Sequence, residues 1–201
     1  MPVQHRLASE AAAALERTIA GEVLDVRSEL LPPDLADPLR VAELKTAGYS
    51  VSLPLRLGAI AAGEASAHVI GSLDRVGIAF GIAYQLADDD LGLFGAPEVT
   101  GKSVLSDVRQ GTRTEHVRLA YARAGAADRA ALDAVLGTAS ATERDADLVR
   151  DIVRRTGARD AVTRTIDEHV ARGIRTAEAE LPTALATHLT RLARSMRSRT
   201  R

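Results

Sequence analysis

Three consecutive carboxylates, Asp88, Asp89 and Asp90, close a long apolar stretch, and the segment beyond them carries Lys102 and a further acid, Asp107. Gln85 stands three and four residues before Asp88 and Asp89, so on a helix an amide and two carboxylates share one end. A single step along a helix turns a side chain by about 100°, which sends Asp90 elsewhere. Carboxylates beside a lysine-bearing loop suit Mg2+ and a diphosphate, because Mg2+ is usually held by one or two carboxylates plus phosphate oxygens. The placement runs against local preference, since the helix macrodipole disfavours an acid near the C-terminal end by a few tenths to ~1 kcal/mol. Such conflicts are expected where a bound cation compensates.

Other candidates lie upstream. Glu22 and Asp25 fall on one face of a helix, where exposure to water is the ordinary fate of charge. Lys45 and Thr46 precede Gly48-Tyr49, and Pro54 interrupts the hydrogen-bond ladder of the apolar run that follows. A lysine at such a break can aim into a cavity, the alternative being an ordinary surface lysine. Thr100-Gly101-Lys102 lacks the spacing of a phosphate-binding P-loop, yet Lys102 can serve a phosphate as a point charge. The five histidines show no metal-ligand spacing, and no nucleophile elbow is present.

The elements that must position these residues read as helices. Residues 9–31 form one, N-capped by Ser9, with Leu15, Ile19, Val23 and Val26 at helical spacing. The prolines of residues 32–38 stop it, and Pro38 starts the next. Residues 67–93 are apolar round most of the circumference, with Leu73, Val76, Phe80, Ala83 and Ala87 in one stripe, and are expected at the centre of the fold. Beyond a Gly/Pro-marked loop, residues 113–124, 127–138, 142–155, 158–180 and 182–196 read as outer helices.

Composition agrees. Aromatics are 2% of the residues and tryptophan is absent, so the core is aliphatic, which favours packed helices over a β-sandwich. The expectation is a single all-α domain over residues 1–201. A net charge of −1 gives no electrostatic case for nucleic acid. The absence of cysteine excludes disulfides and thiolate metal sites and accords with a reducing compartment. The first residues lack a signal-peptide core, and no apolar run approaches the length of a membrane span. A soluble, cytoplasmic protein is expected.

Four segments, in order, resemble the trans-isoprenyl diphosphate synthases, or polyprenyl synthetases. GEVLDV (21–26) is similar to the family's Gly-Gln-x-x-Asp-Leu element, and LKTAGYSVSLPLRLGA (44–59) to its Lys-Thr-x-x-Tyr segment. FGIAYQLADDDLGLFG (80–95) resembles the second aspartate-rich motif, and PEVTGKSVLSDVRQGTRT (97–114) the Thr-Gly-Lys stretch that follows it. The resemblance implies an isoprenoid-synthase-type helical bundle around an apolar cavity, usually homodimeric. It implies a Mg2+-dependent condensation of an allylic diphosphate with isopentenyl diphosphate. Asp88 and Asp89 would then ligate Mg2+, with Asp107 and Asp25 as accessory acids. Lys45 and Lys102 would stabilise the departing diphosphate, Thr46 and Gln85 would flank the carbocation, and Tyr49 would join Lys45, Gln85 and Lys102 in binding substrate.

The departures carry implications too. The family's first Asp-Asp-x-x-Asp motif has no counterpart in residues 1–20, where Glu10 and Glu16 do not match, nor do the basic residues that bind isopentenyl diphosphate. Gly92, Ala96, Thr112 and Glu22 replace an Asp, an Asp, a Lys and a Gln of the family pattern. The bundle is thus expected to be N-terminally truncated and weak or inactive alone. The alternatives are a non-catalytic partner that docks onto a full-length synthase, or a remnant of one.

Overall fold

A computed structural model of the chain describes residues 2–64, 66–95 and 105–197. Among the described residues every regular element is helical. Helix α1 spans Val3–Glu29, and a 3-10 turn follows at Pro33–Leu35. Helix α2 (Pro38–Val41) passes without a break through a π-helical segment, Ala42–Ser52, into α3 (Leu53–Ala61). Then come α4 (Ala67–Phe94), α5 (Leu105–Gln110), α6 (Glu115–Arg123), α7 (Ala126–Val135), α8 (Glu143–Arg155), α9 (Ala158–Glu180) and α10 (Thr183–Arg197).

Helix α1 begins at Val3 rather than Ser9, because the Pro2 carbonyl accepts from the His5 and Arg6 amides at 3.1 and 3.2 Å and starts the helix a turn and a half earlier. Thr114 caps α6 by accepting from the Val117 amide. Thr142 and Asp145 form a reciprocal capping box at α8.

The chain divides into two compact units, one of Met1–Leu24, Leu39–Gln85 and Thr165–Arg201, the other of Asp25–Pro38 and Leu86–Arg164. In the first, Leu73, Val76, Phe80 and Ala83 of α4 are buried, as their stripe predicts. The π segment is the feature sequence periodicity does not show. Its bonds run from residue i to i+5, as in the Leu53 amide to the Gly48 carbonyl, so residues five apart stack on one face. Ala42, Ala47 and Ser52 have that spacing and are all buried. Side chains added at Gly77 and Gly81 of α4, one α-turn apart, would lie closer than 3.0 Å to Ser52 and Ala47 respectively. One turn of the π segment therefore seats on one turn of α4 with the two backbones nearly touching. Arg56 of α3, buried, pairs with Glu10 of α1 and with Asp74 of α4, tying three helices of this unit together.

The second unit has its own apolar cluster, which includes Leu93, Val108, Ala120, Leu132, Val149, Ile152 and Val153. Arg113 donates to the Leu31 carbonyl at 3.2 Å and the Glu29 carbonyl at 3.3 Å, so the turn after α1 is fastened to this unit.

Candidate functional site

In the first unit, close packing sets the side chains. Because Ala47 sits against Gly81, the neighbouring Thr46 reaches the next turn of α4 and its hydroxyl donates to Gln85 Oε1 at 2.9 Å. On the other side of the π segment, a Cβ added at Gly21 of α1 would come within 2.5 Å of the Lys45 backbone nitrogen and 2.8 Å of Leu44 Cβ. That approach brings Glu22 alongside Lys45, and Glu22 Oε2 lies 2.8 Å from Lys45 Nζ. Tyr49 is half-exposed. Of the sequence candidates, Lys45, Thr46 and Gln85 are thus held by one close-packed arrangement of the π segment, α1 and α4. The Glu22–Lys45 pair is a finding that the sequence, read as an exposed acidic face, does not supply.

In the second unit the three consecutive acids have different fates. Asp88 is exposed and Asp89 half-buried, whereas Asp90 is buried at 5% exposure. Arg159 of α9 grips Asp90 with a two-pronged fork, Nε to Oδ1 and Nη2 to Oδ2, each at 2.9 Å. His116 of α6, fully buried, places Nε2 3.2 Å from the same Oδ1. Phe94 completes the arrangement: Arg159 lies 4.0 Å over its ring, and His116 meets it edge-on with centroids 6.1 Å apart. Burial pushes the Asp90 carboxyl upward, but the bonds and charges of His116 and Arg159 outweigh it and hold the group below its ordinary value. Arg159 is raised by the same carboxylate. Asp90 is therefore an anchor neutralised within the unit, set apart from the less buried Asp88 and Asp89. Neither His116 nor Arg159 carries a motif, and only the third acid on a largely apolar helix hints at buried partners.

Asp107, on the first turn of α5, stands beside the last turn of α4: its Oδ2 is 3.2 Å from the point a Cβ at Gly92 would occupy. The glycine at 92 leaves the space that this carboxylate uses. Asp25 is half-buried on α1. Lys102 lies outside the described residues.

Whether these residues fit Mg2+ is a question of donor chemistry. Among the described residues no three His, Cys, Asp or Glu side chains are gathered to hold an ion unaided. Two adjacent carboxylates on a helix turn are a set that suits Mg2+ where phosphate oxygens and water complete the octahedron. The donors fit on that condition.

Residues 3–153 match the family model for polyprenyl synthetase. The chain belongs to the polyprenyl synthetase family. It is 40% identical over 120 residues to a geranylfarnesyl diphosphate synthase of Aeropyrum pernix, covering 60% of this chain and 36% of that one. It is 33% identical over 165 residues to a (2E,6E)-farnesyl diphosphate synthase of Mycobacterium bovis, covering 80% of this chain and 45% of the relative. Among solved structures it is similar to a geranylgeranyl pyrophosphate synthase of Corynebacterium glutamicum complexed with isoprenyl diphosphate and magnesium. That likeness has a TM-score of 0.89 and 30% identity, over 98% of this chain and 56% of that one. The chain thus spans well under two thirds of each of these three proteins. The all-α isoprenoid-synthase-type bundle expected from the sequence is the fold observed. No described helix is long and apolar enough to cross a membrane.

Proposed function

We propose that residues 1–201 act as one all-α domain that carries the second-aspartate-motif side of a prenyltransferase centre, binding Mg2+ and the diphosphate of an allylic substrate. The observation that carries the reading is the division of labour among the three acids: Asp90 is buried and neutralised by Arg159, while Asp88 and Asp89 remain at the surface of the unit. Asp88 and Asp89 hold the ion, with Asp107 and Asp25 as accessory acids. Bound Mg2+ neutralises charge on the leaving diphosphate. Lys45 and Lys102 supply fixed positive charge for a leaving diphosphate, which stabilises the transition state more than the ground state because charge develops there on ionisation. The Thr46 hydroxyl gives its hydrogen to Gln85, which leaves its oxygen lone pairs available to a carbocation. Tyr49 contributes to substrate binding.

Condensation with isopentenyl diphosphate is the reaction this chemistry serves, and the chain by itself is expected to perform it weakly or not at all, since nothing in residues 1–20 offers a second pair of aspartates. The test is calorimetry with inorganic pyrophosphate in the presence and absence of Mg2+. Mg2+-dependent binding that disappears in Asp88→Asn/Asp89→Asn is expected; absence of such binding in the wild-type chain overturns the reading. Condensation of isopentenyl with geranyl diphosphate at a rate that falls in Asp88→Ala would overturn the expected inactivity.

A second reading, association with another copy or with a full-length synthase, is favoured by α1, where Leu15, Ile19 and Val23 are 61, 55 and 56% exposed at intervals of four residues. A stripe of that kind usually seeks a partner. Light scattering after size exclusion, alone and mixed with a full-length synthase, should show association that Ile19→Glu abolishes. A monomer indifferent to the synthase would exclude it.

A further inference from the structure

Resting on the diphosphate reading, we propose that Glu22 is the built-in competitor of the substrate diphosphate: it holds the Lys45 ammonium when no diphosphate is bound and releases it on binding, so that it sets diphosphate affinity and eases pyrophosphate release. The pair is constructed by the backbone. Gly21 lets α1 close on the π segment, since a Cβ there would strike the Lys45 nitrogen and Leu44. Glu22, the next residue, is thereby placed with Oε2 2.8 Å from Lys45 Nζ. Both groups keep contact with water, their side chains being 56 and 36% exposed, so the pair can open without stranding a buried charge. A neutral amide in place of this carboxylate would leave the ammonium's charge undiminished. The carboxylate makes an incoming diphosphate displace an anion of like sign from the same three donor hydrogens.

The magnitude follows from the exposure. A surface pair is worth ~0–1 kcal/mol, which converts to at most about fivefold in a dissociation constant at 1.4 kcal/mol per decade. Calorimetric titration of inorganic pyrophosphate with Mg2+ into the wild-type chain, Glu22→Gln, Lys45→Gln and the double variant tests this. Glu22→Gln is expected to bind ~2- to 5-fold more tightly, Lys45→Gln more weakly, and Glu22→Gln in the Lys45→Gln background to change nothing further. Measurable wild-type binding that Glu22→Gln leaves unchanged or weakens overturns the competition alone. Equal tightening in both backgrounds also overturns it, since Glu22 would then repel the anion without acting through Lys45. No binding by any of the four proteins overturns the diphosphate reading, and the competition with it. Circular dichroism of each variant at the titration temperature confirms that folded proteins are compared.

Discussion

Gly81→Ala should damage both the fold and the Thr46–Gln85 bond, and Gly58→Ala, the same chemical change, should not. A methyl added at Gly81 would lie closer than 3.0 Å to Ala47, and the atom it meets is backbone and its attached Cβ, not the end of a flexible chain. Carbon atoms settle at roughly 3.5–4.0 Å, so α4 and the π segment must part by about 1 Å or more. Overpacking of this kind typically costs ~1–3 kcal/mol. Parting also stretches the Thr46–Gln85 bond from 2.9 Å to a length that no longer counts as a hydrogen bond, at a further ~1 kcal/mol. Against this, alanine in a helix interior is favoured over glycine by ~1 kcal/mol. The net for Gly81→Ala is a loss of about 1–3 kcal/mol. At Gly58 of α3 nothing lies within 4 Å of the added atom, so only the gain remains, up to ~1 kcal/mol. With ~2–4 °C per kcal/mol for a chain of this size, the two variants should melt about 2–16 °C apart, Gly81→Ala below wild type and Gly58→Ala at or above it. Thermal melts by circular dichroism at one protein concentration decide the matter. A Gly81→Ala protein that melts at or above wild type refutes the close packing from which the Thr46–Gln85 geometry is argued.

Asp90→Asn removes one member of a buried charge pair. The expected loss is ~2–4 kcal/mol in a denaturant titration, somewhat under the ~3–5 typical of fully buried pairs because the Arg159 side chain remains 36% exposed. The same residue gives the pH dependence its sign. Its folded carboxyl is depressed below the ordinary ~3.9, so its contribution is fully present above that value and is lost as pH falls through the lower folded value. Stability curves of wild type and Asp90→Asn should therefore converge below about pH 4, and parallel curves there would contradict the assignment. Thr46→Val keeps the shape and removes the donor to Gln85; a loss of ~0.5–1.5 kcal/mol is expected by urea titration, and none would show the bond to be idle.

Much of this arrangement was legible in the sequence, and the exceptions have physical causes. The apolar stripe of residues 67–93 predicts α4 to within a residue, and glycine breaks place α8 and α9 almost as closely. Those signals are local: helical period and chain punctuation. In the sequence the π segment shows only as the breaks at Gly48 and Pro54, because burial at Ala42, Ala47 and Ser52 has a period of five, which does not register as a helical period of 3.6. The stripe on α1 shows the opposite failure: Leu15, Ile19 and Val23 have the right period, yet period identifies a face and says nothing of what covers it.

The acidic turn shows how far spacing alone carries. That Asp90 departs from Asp88 and Asp89 follows from the helical step, but its consequence does not. The partner that neutralises it lies 69 residues on, in a helix whose sequence reads as an ordinary charged exterior. Without Arg159, Asp90 would keep only His116 as its partner, and the turn would lose the bidentate clamp between α4 and α9 while Asp88 and Asp89 stay in place. The clamp therefore bears on position more than on charge. An Arg159→Gln chain should keep Mg2+-dependent pyrophosphate binding in kind but lower its affinity, and restoration by Arg159→Lys should be incomplete, since an ammonium cannot reproduce the planar fork. Full restoration by lysine would show that charge, not the fork, is what Asp90 requires.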